Sequence, residues 1–197
     1  MDSLTLRLAK GEDAPAIWEI YKSYGENTLE TLDGTPPTCE EIEAQICTCQ
    51  GLYPFLVGEL DGKIVGYAYG KSHAPKQSFS WSALVNMYVH PENSGRGIGR
   101  ALYDALEGVL REMGVVNLHS LVTFQPRGEY FQQARGYMEA GRLYKASFQK
   151  GKWRDLLYYE KHIALHEDAP QPVRPVGEIA PEKLEEIFNE AKKRVRR

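Results

Sequence analysis

The segment from Asn86 to Tyr103 constrains the fold more than any other part of the chain. The mostly apolar run Ala83 to Val89 predicts a strand, and an amphipathic helix begins directly after three alternating glycines, Gly95, Gly97 and Gly99. Glycines in such a turn let consecutive backbone N–H groups point into one concavity, because no Cβ blocks the approach. The helix start adds its unpaired N–H groups and the positive end of its dipole. Together these features predict a binding site for a diphosphate.

Three kinds of phosphate site have glycine-rich loops with which this loop can be compared. A P-loop needs a Lys-Ser/Thr pair, and none follows Gly99. A Rossmann fingerprint needs Gly-x-Gly-x-x-Gly and an acidic residue closing the next strand, whereas the expected strand from Val115 to Thr123 has none. The third pattern, x-x-Gly-x-Gly after a Val-x-Pro strand end, is typical of the pyrophosphate loop of acyl-CoA N-acyltransferases, and Arg96 and Arg100 add charge. A turn that only links strand to helix is the alternative on the loop alone.

Periodicity and turn signals outline the other elements. Asp61-Gly62 predicts a hairpin between strands Phe55–Leu60 and Lys63–Lys71. Thr38, three residues before Glu41, predicts a capping box that opens a helix after a loop from Gly25 to Pro37. The resulting order, β-α-α-β-β-β-α-β-α-β-β, predicts a mixed α/β sheet.

The last part of the chain divides in two. Four prolines predict that Ala169 to Pro181 is extended and non-helical. From Pro181 to Arg194, apolar residues at helical spacing predict a helix that buries one face against its own domain or a partner subunit.

Composition excludes several functional classes. A chain of 197 residues with a net charge of −3 fits one domain and argues against a nucleic-acid binder. The three cysteines include no Cys-x-x-Cys, which favours a reduced compartment. No apolar run is long enough to span a bilayer, and the N-terminus lacks a signal-peptide layout. We therefore expect a cytoplasmic protein with no membrane association.

Segments outside the glycine loop strengthen the comparison with a known family. Residues Tyr53–Tyr69, Phe148–Asp155 and Val173–Ile179, with the loop, resemble the GNAT acetyltransferase superfamily and more closely its phosphinothricin-acetyltransferase-like branch. The resemblance covers residues 1 to 179. It implies a GNAT fold, a mixed and mostly antiparallel sheet splayed at strands 4 and 5 with helices on both faces. We expect a GNAT domain at 1–163, followed by a Pro-rich extension and terminal helix at 164–197.

The resemblance also implies an activity and a cofactor site. The expected reaction moves the acetyl group of acetyl-CoA to the primary amine of a small amino-acid-like acceptor, by direct attack in a ternary complex and with no metal. The N–H of Met87 would face the thioester oxygen, and Val89 would pair with pantetheine amides. The residues implied in cofactor binding are Met87, Tyr88, Val89, Gly95, Arg96, Gly97, Ile98, Gly99, Arg100 and Gln125.

The acceptor side is expected around the first loop and the loop before strand four. Glu26 would take the amine proton through a water, and a cation at Lys76 would hold an acidic group. Each has a simpler interpretation as a surface side chain. The residues implied in acceptor binding are Glu26, Asn27, Thr28, Leu32, Lys76 and Phe79.

Two departures from the branch pattern lie in the chemical centre. Leu84 stands where the branch has a glutamate base, and Gln132 stands where a His or Tyr usually serves the leaving thiolate. Glu26, Met87 and Gln132 remain the catalytic candidates. An acyl-CoA-binding protein with little transferase activity, acting as a sensor or subunit, is therefore the alternative. Nucleic-acid binding through the basic terminus is a third hypothesis, which predicts salt-sensitive DNA retention.

Several other side chains receive structural interpretations. His90 and His119 are expected to be structural, and Trp81 and Trp153 to be packing anchors. His73 lies in the acceptor loop, but its spacing assigns it no role. His162 and His166 are four apart, yet no carboxylate motif accompanies them, so no metal site is expected. The branch pairs subunits through its C-terminal strands, which implies a homodimer.

Overall fold

The computed structural model describes residues 4–27, 36–49, 51–123 and 126–193, with backbone alone at 25–27 and 126–129. The predicted site residues Thr28, Leu32 and Gln125 therefore lie outside the described residues, as do Arg194, Arg196 and Arg197 of the basic end. The strands are β1 Leu4–Leu8, β2 Phe55–Leu60, β3 Lys63–Ser72, β4 Ser82–Val89, β5 Asn117–Thr123, β6 Met138–Gln149 and β7 Lys152–His162. The helices are α1 Ala14–Asn27, α2 Cys39–Cys49, α3 Ile98–Met113, α4 Pro126–Ala134 and α5 Pro181–Lys192.

The seven strands form one sheet in the order β1-β2-β3-β4-β5-β7-β6. All neighbours are antiparallel except β4 and β5, which run parallel over only three residue pairs, from Ser82↔Asn117 to Leu84↔His119. Beyond Leu84 the two strands part, so the end of β4 has no strand beside it on that edge. This fork confirms the expected splay, and it leaves backbone groups available to a ligand.

Two hairpin turns follow from local chemistry, the predicted turn at Asp61-Gly62 and a second one in the β6–β7 connection. Asp61 and Gly62 have φ of 51° and 76°, and Lys150 and Gly151 have φ of 48° and 74°. Two successive residues with positive φ make the turn whose twist matches the flanking strands. The capping box is confirmed as well, since Thr38 Oγ1 accepts from the N–H of Glu41 at 3.2 Å and the Glu41 carboxylate accepts from the N–H of Thr38 at 2.8 Å.

The loop expected from Gly25 to Pro37 is wrong over its first three residues, because α1 continues to Asn27. Tyr24, in the last turn of α1, packs edge-on against Tyr88 of β4, with ring centroids 5.2 Å apart. This tertiary contact stabilises the final turn and outweighs the poor helix propensity of Gly25. Likewise, the segment expected to be non-helical before α5 contains a 3₁₀ turn at Val176–Glu178.

Helices cover both faces of the sheet, and α3 occupies the centre of one of them. Leu102, Leu106 and Leu110 of α3 are fully buried in the main core. On the outer side of α3, helix α5 buries Phe188 and Ala191 in the same core, so the terminal apolar stripe packs within its own chain. A second core under α1 and α2 fills the opposite face. No helix within the described ranges is long and apolar enough to cross a membrane.

The β6–β7 hairpin forms one edge of the sheet and corrects one packing prediction. Trp153 was expected to be a packing anchor, but it is 61% exposed. Its ring lies against the ring of Phe148, which is itself exposed. Its position near the hairpin tip, beyond the helices, explains the exposure. Trp81 instead is partly buried, and its indole N–H donates to the carbonyl of Gln171 at 2.7 Å.

Candidate active site

A cleft of about 490 Å³ lies in the fork between β4 and β5. One wall is the end of β4 from Val85 to Val89, and the other is β5 from Ser120 to Thr123. The glycine loop and the first turn of α3 close one end of the cleft. The structure therefore brings most of the predicted cofactor residues to one cavity, although they belong to a strand, a loop and a helix.

The glycine loop has the backbone geometry of an anion cradle. Gly95 and Gly97 have φ of 78° and 86°, a conformation that side-chain-bearing residues rarely adopt. A Cβ added at Gly95 would meet no described atom within 4 Å, so the space above the loop is open. Gly97 caps α3 and, as a glycine, gives the first N–H groups of that helix no side-chain cap. These N–H groups and the helix dipole fit a diphosphate.

Gly99 has a different role from the two glycines before it. It lies in the first turn of α3, where a Cβ would stand 3.2 Å from Met87 Cε and 3.4 Å from Val89 Cγ2. Glycine at this position lets the helix approach β4 closely. Ile98, also predicted to bind the cofactor, has a side chain buried in the core, so only its backbone is available to a ligand.

Two arginines bring full positive charges to this end of the cleft. Arg100 lines the cleft, and its Nε lies 3.8 Å from a carboxylate oxygen of Asp104. Arg96 is exposed on the loop between Gly95 and Gly97. An exposed guanidinium on this loop is accessible to a phosphate and pairs well with its oxygens.

The backbone of β4 faces the fork at alternate residues. The hydroxyl of Tyr24 donates to the carbonyl of Val89 at 2.6 Å and accepts from the N–H of Val89 at 3.3 Å. These groups therefore point away from β3, and because directions alternate along a strand, those of Met87 do the same. An amide ligand at Val89 must displace or share the Tyr24 hydroxyl, a contact that sequence reasoning missed.

Gln132 of α4 lines the cleft but is already engaged. Its side chain is 7% exposed, and its amide nitrogen donates to Ser120 Oγ at 2.9 Å. Its carbonyl oxygen is buried with no hydrogen-bond partner in the described part of the chain. Tyr130, two residues earlier, is 75% exposed and takes no part in the cleft. Tyr103 lines the cleft, but burial raises its pKa, so its phenol stays protonated.

The structure describes only some of the predicted acceptor residues. Phe79 is exposed, with its ring 5.4 Å from that of His73, and Lys76 is exposed three residues earlier. Glu26 and Asn27 end α1, two and three residues after Tyr24, and only their backbone is described. The structure thus gathers Phe79 and His73 on the face of the sheet opposite α3, without testing the role of any predicted acceptor residue.

A cluster on that face escaped sequence reasoning. The rings of His73 and His119 lie 4.3 Å apart between centroids, and the hydroxyl of Tyr158 is 2.9 Å from His73 Nδ1. His119 is the register partner of Leu84 at the last pair before the fork. Only the strand pairing brings these residues together, so no local motif could have indicated them.

The remaining described histidines make local contacts. His90 Nδ1 accepts from the N–H of Glu92 at 3.4 Å in a 3₁₀ turn, a structural role. The rings of His162 and His166 are 4.8 Å apart, and His166 Nε2 lies 2.8 Å from the side-chain oxygen of Asn117. Across the described residues, no three His, Cys, Asp or Glu side chains converge on a possible metal position.

Comparison with known proteins identifies the family. The family model described as acetyltransferase (GNAT) domain matches residues 6–158. Phosphinothricin N-acetyltransferase of Alcaligenes faecalis is 29% identical over 165 residues, which cover 81% of this chain and 82% of that protein. L-methionine sulfoximine/L-methionine sulfone acetyltransferase of Salmonella typhimurium is 26% identical over 165 residues, covering 83% and 96% of the two chains.

A solved structure with a bound ligand is similar as well. The phosphinothricin acetyltransferase of Sinorhizobium meliloti in complex with acetyl-CoA matches with a TM-score of 0.79 and 27% identity, over 86% of this chain and 93% of that one. The forked sheet, the glycine loop before α3 and these likenesses agree. The chain belongs to the GNAT family of acetyltransferases, and acetyl-CoA is its co-substrate.

Proposed function

We propose that this chain acetylates the primary amine of a small amino-acid-like acceptor, by direct attack on acetyl-CoA in a ternary complex. The observation that carries the proposal is the fork, in which the backbone of Met87 and Val89 faces a cleft closed by the glycine loop. Two relatives act, by name, on phosphinothricin and on methionine sulfoximine, both of which are amines with an amino-acid skeleton. Holding both substrates in one cleft replaces a bimolecular encounter by an oriented one.

The cofactor half of the cleft supplies binding and charge stabilisation. The N–H groups around Gly95 and Gly97 would hold the diphosphate, with Arg96 and Arg100 adding charge. The N–H of Met87 would stabilise the negative charge that develops on the thioester oxygen, since it points into the fork. Acetyl-CoA supplies the activated acyl group, and the protein orients it.

The acceptor half would recognise the amine and its acidic group. We propose that the end of α1 and the following residues, Glu26, Asn27, Thr28 and Leu32, bound the acceptor pocket with Lys76 and Phe79. Lys76 and Phe79 are both exposed and lie three residues apart, a combination that suits an acidic group on an apolar stem.

The leaving thiolate makes modest demands on the protein. A thiol titrates near 8.5, so CoA leaves readily without full protonation. We propose that Gln132 assists only as a hydrogen-bond donor, because an amide cannot transfer a proton at neutral pH. Its donation to Ser120 limits even that role.

The absence of a carboxylate at Leu84 and of an acid at Gln132 also supports a second candidate. In that case the chain binds acyl-CoA and transfers little, as a sensor or subunit. Both candidates predict CoA binding, and they differ in turnover.

Release of free CoA thiol separates the two candidates. Acetyl-CoA is incubated with the protein and a panel of L-amino acids, phosphinothricin, methionine sulfoximine and simple amines. We expect thiol release that depends on at least one acidic or sulfoximine-bearing acceptor. CoA binding by calorimetry without release for any member of the panel would favour the second candidate.

We further propose that two copies pair through the β6–β7 hairpin and that the chain works in the cytoplasm, where its three unpaired thiols stay reduced. Exposed apolar side chains concentrate on this hairpin: Met138, Leu143, Tyr144, Phe148 and Trp153. Sedimentation should give a dimer for the wild type and a monomer for Trp153→Glu. A wild-type monomer at micromolar concentration would contradict the pairing.

A further inference from the structure

We infer that His119, supported by His73 and Tyr158, accepts the proton of the attacking amine in acetyl transfer. The inference rests on the proposed function and names the group that does the work of a carboxylate at Leu84. It arises from the sheet register and from a side-chain cluster that the cofactor half does not use.

The register of β4 and β5 places His119 at the point where the two strands separate. Leu84 and His119 form the last parallel pair before β4 and β5 separate, and opposed residues of a pair point to the same face. Their neighbours Leu118 and Ala83 are buried in the core under α3, so His119 and Leu84 point to the other face. Asn86 and Leu121, two residues further on along each strand, share that face and line the cleft.

Among the described residues, the lining of the cleft lacks a carboxylate or imidazole that can take a proton. Leu84 offers only hydrocarbon, and the raised pKa of Tyr103 leaves that phenol a poor acceptor. His119, which directly precedes the lining residues Ser120 and Leu121, is the imidazole adjoining this wall.

The cluster prepares His119 to act as an acceptor. Its Nδ1 is buried and has no hydrogen-bond partner in the described part of the chain. An unpaired buried nitrogen costs free energy, so its retention points to a water or substrate group that completes the site. The ring of His73 lies 4.3 Å away and is tilted by 37°, and the Tyr158 hydroxyl lies 2.9 Å from His73 Nδ1.

Electrostatics keeps the imidazole neutral. Burial lowers the pKa of His119, and the neighbouring His73 lowers it further, while Glu160 opposes them and His162 adds a small lowering. Tyr158, on β7, has a pKa raised by burial and therefore remains a neutral phenol. Lys71 pairs with Leu84 across β3 and β4, and its side chain is exposed. A neutral imidazole at pH 7 can receive a proton.

In the proposed step, the amine nitrogen forms a bond to the carbonyl carbon, the carbon–sulfur bond breaks, and its electron pair leaves on the sulfur of CoA. The nitrogen loses its proton through waters to His119, which then returns it to solvent. About 10 Å of strand separates the level of Leu84 from Met87. One water joins groups only about 5–6 Å apart, so the relay needs more than one water.

The test compares His119→Asn with His166→Asn, a matched change at an exposed histidine outside the cleft. The acceptor is the best member of the amine panel. We expect kcat to fall by about 100-fold in His119→Asn, with KM changed less than threefold and no change in His166→Asn, because general-base catalysis contributes 10²–10⁴-fold. The acid limb of the kcat–pH profile, present in the wild type, should vanish in His119→Asn.

Two further measurements keep the test decisive: one shows whether the variants fold, and the other follows His119 in the unmodified protein. His119→Asn and His119→Gln should bind acetyl-CoA by calorimetry like the wild type. In the unmodified protein, the His119 ring followed by NMR should titrate below 6.5, the ordinary value for histidine. A ring pKa at or above that value would overturn the inference.

The outcomes distinguish the inference from the function on which it rests. If the wild type acetylates no acceptor, the proposed function fails and the inference with it. If the wild type turns over and His119→Asn keeps its rate and acid limb, only the inference is wrong. Loss of the limb in Glu26→Gln alone would assign the proton to Glu26 and overturn the role of His119.

Discussion

The two halves of the cleft are built by different means. The cofactor half comes from one continuous stretch, Met87 to Arg100, and uses mainly backbone N–H groups. The proposed acceptor half relies instead on side chains, and the cluster of His73, His119 and Tyr158 that we assign to it comes from three distant segments. A backbone site tolerates substitution around it as long as its glycines remain, whereas a side-chain site can change its chemistry with single replacements. This difference explains how a chain can keep its co-substrate and lose the base at Leu84.

The largest expected effect breaks the cofactor half alone. Gly97→Glu adds strain at a φ of 86° and a negative charge in the cradle, and should weaken acetyl-CoA binding by about 1,000-fold, since like charges brought together at a binding site cost several kcal/mol. Calorimetry measures the loss.

Gly151→Glu is the control for backbone strain. Gly151 has a φ of 74° in the β6–β7 turn, with no described atom within 4 Å of an added Cβ. This variant should bind acetyl-CoA normally. Equal losses in both variants would show that strain rather than the cradle determines affinity.

The packing of α5 against α3, behind the cofactor half, gives the next largest effect. Phe188→Ala empties a buried position of α5 against the core and should lower the free energy of unfolding by about 3 kcal/mol. Phe148→Ala, at an exposed position of the hairpin, should change it by less than about 0.5 kcal/mol in a monomer. Denaturant titration measures both. An unchanged midpoint for Phe188→Ala would contradict the packing of residues 181–192 on this domain.

Introducing a carboxylate at position 84 tests the proposed role of His119 in the acceptor half. Leu84→Glu places a negative charge beside His119 and favours the protonated ring, so the pKa of His119 should rise by about one unit. Because a raised histidine pKa keeps the base protonated to higher pH, the acid limb of kcat should move to higher pH. Leu84→Gln, which adds a side chain of the same shape without charge, serves as the control and should leave the limb in place. If the acid limb of the kcat–pH profile does not move in Leu84→Glu, the side chain at position 84 does not influence the pKa of the base.

The smallest effect concerns the contact between the halves. Tyr24→Phe removes the hydroxyl that occupies the N–H and carbonyl of Val89, so acetyl-CoA should bind about fivefold more tightly, as expected for one hydrogen bond of about 1 kcal/mol. Tyr130→Phe, at an exposed tyrosine, should leave affinity unchanged. Weaker binding in Tyr24→Phe would mean that the hydroxyl supports the cofactor instead of competing with it.

Local rules explain what could be predicted from the sequence. The Asp61-Gly62 turn, the Thr38 capping box and the glycines before α3 depend on neighbouring residues, and all three are confirmed. The splay of β4 and β5 was implied by resemblance to the family rather than by periodicity. The local backbone of the glycine loop could therefore be predicted from the sequence, while the cofactor-binding roles of its residues stay predictions.

Non-local contacts account for what was missed. The last turn of α1 depends on the packing of Tyr24 against Tyr88, and the exposure of Trp153 depends on where the hairpin extends. The sequence predicted only a structural role for His119. Its position beside Leu84 depends on the pairing of β5 with β4, which no local pattern shows. The acceptor half is assembled by such contacts, so a single sequence cannot reveal its geometry.

Amide-resolved NMR during a titration with CoA tests the central claim most directly, that backbone N–H groups of the glycine loop hold the co-substrate. The account predicts the largest shifts at Gly95 to Arg100 and at Val89, with the amides of His73 and Tyr158 nearly unmoved until an acceptor amine is added. Binding of CoA with no shift at Gly95, Gly97 or Gly99 would contradict it.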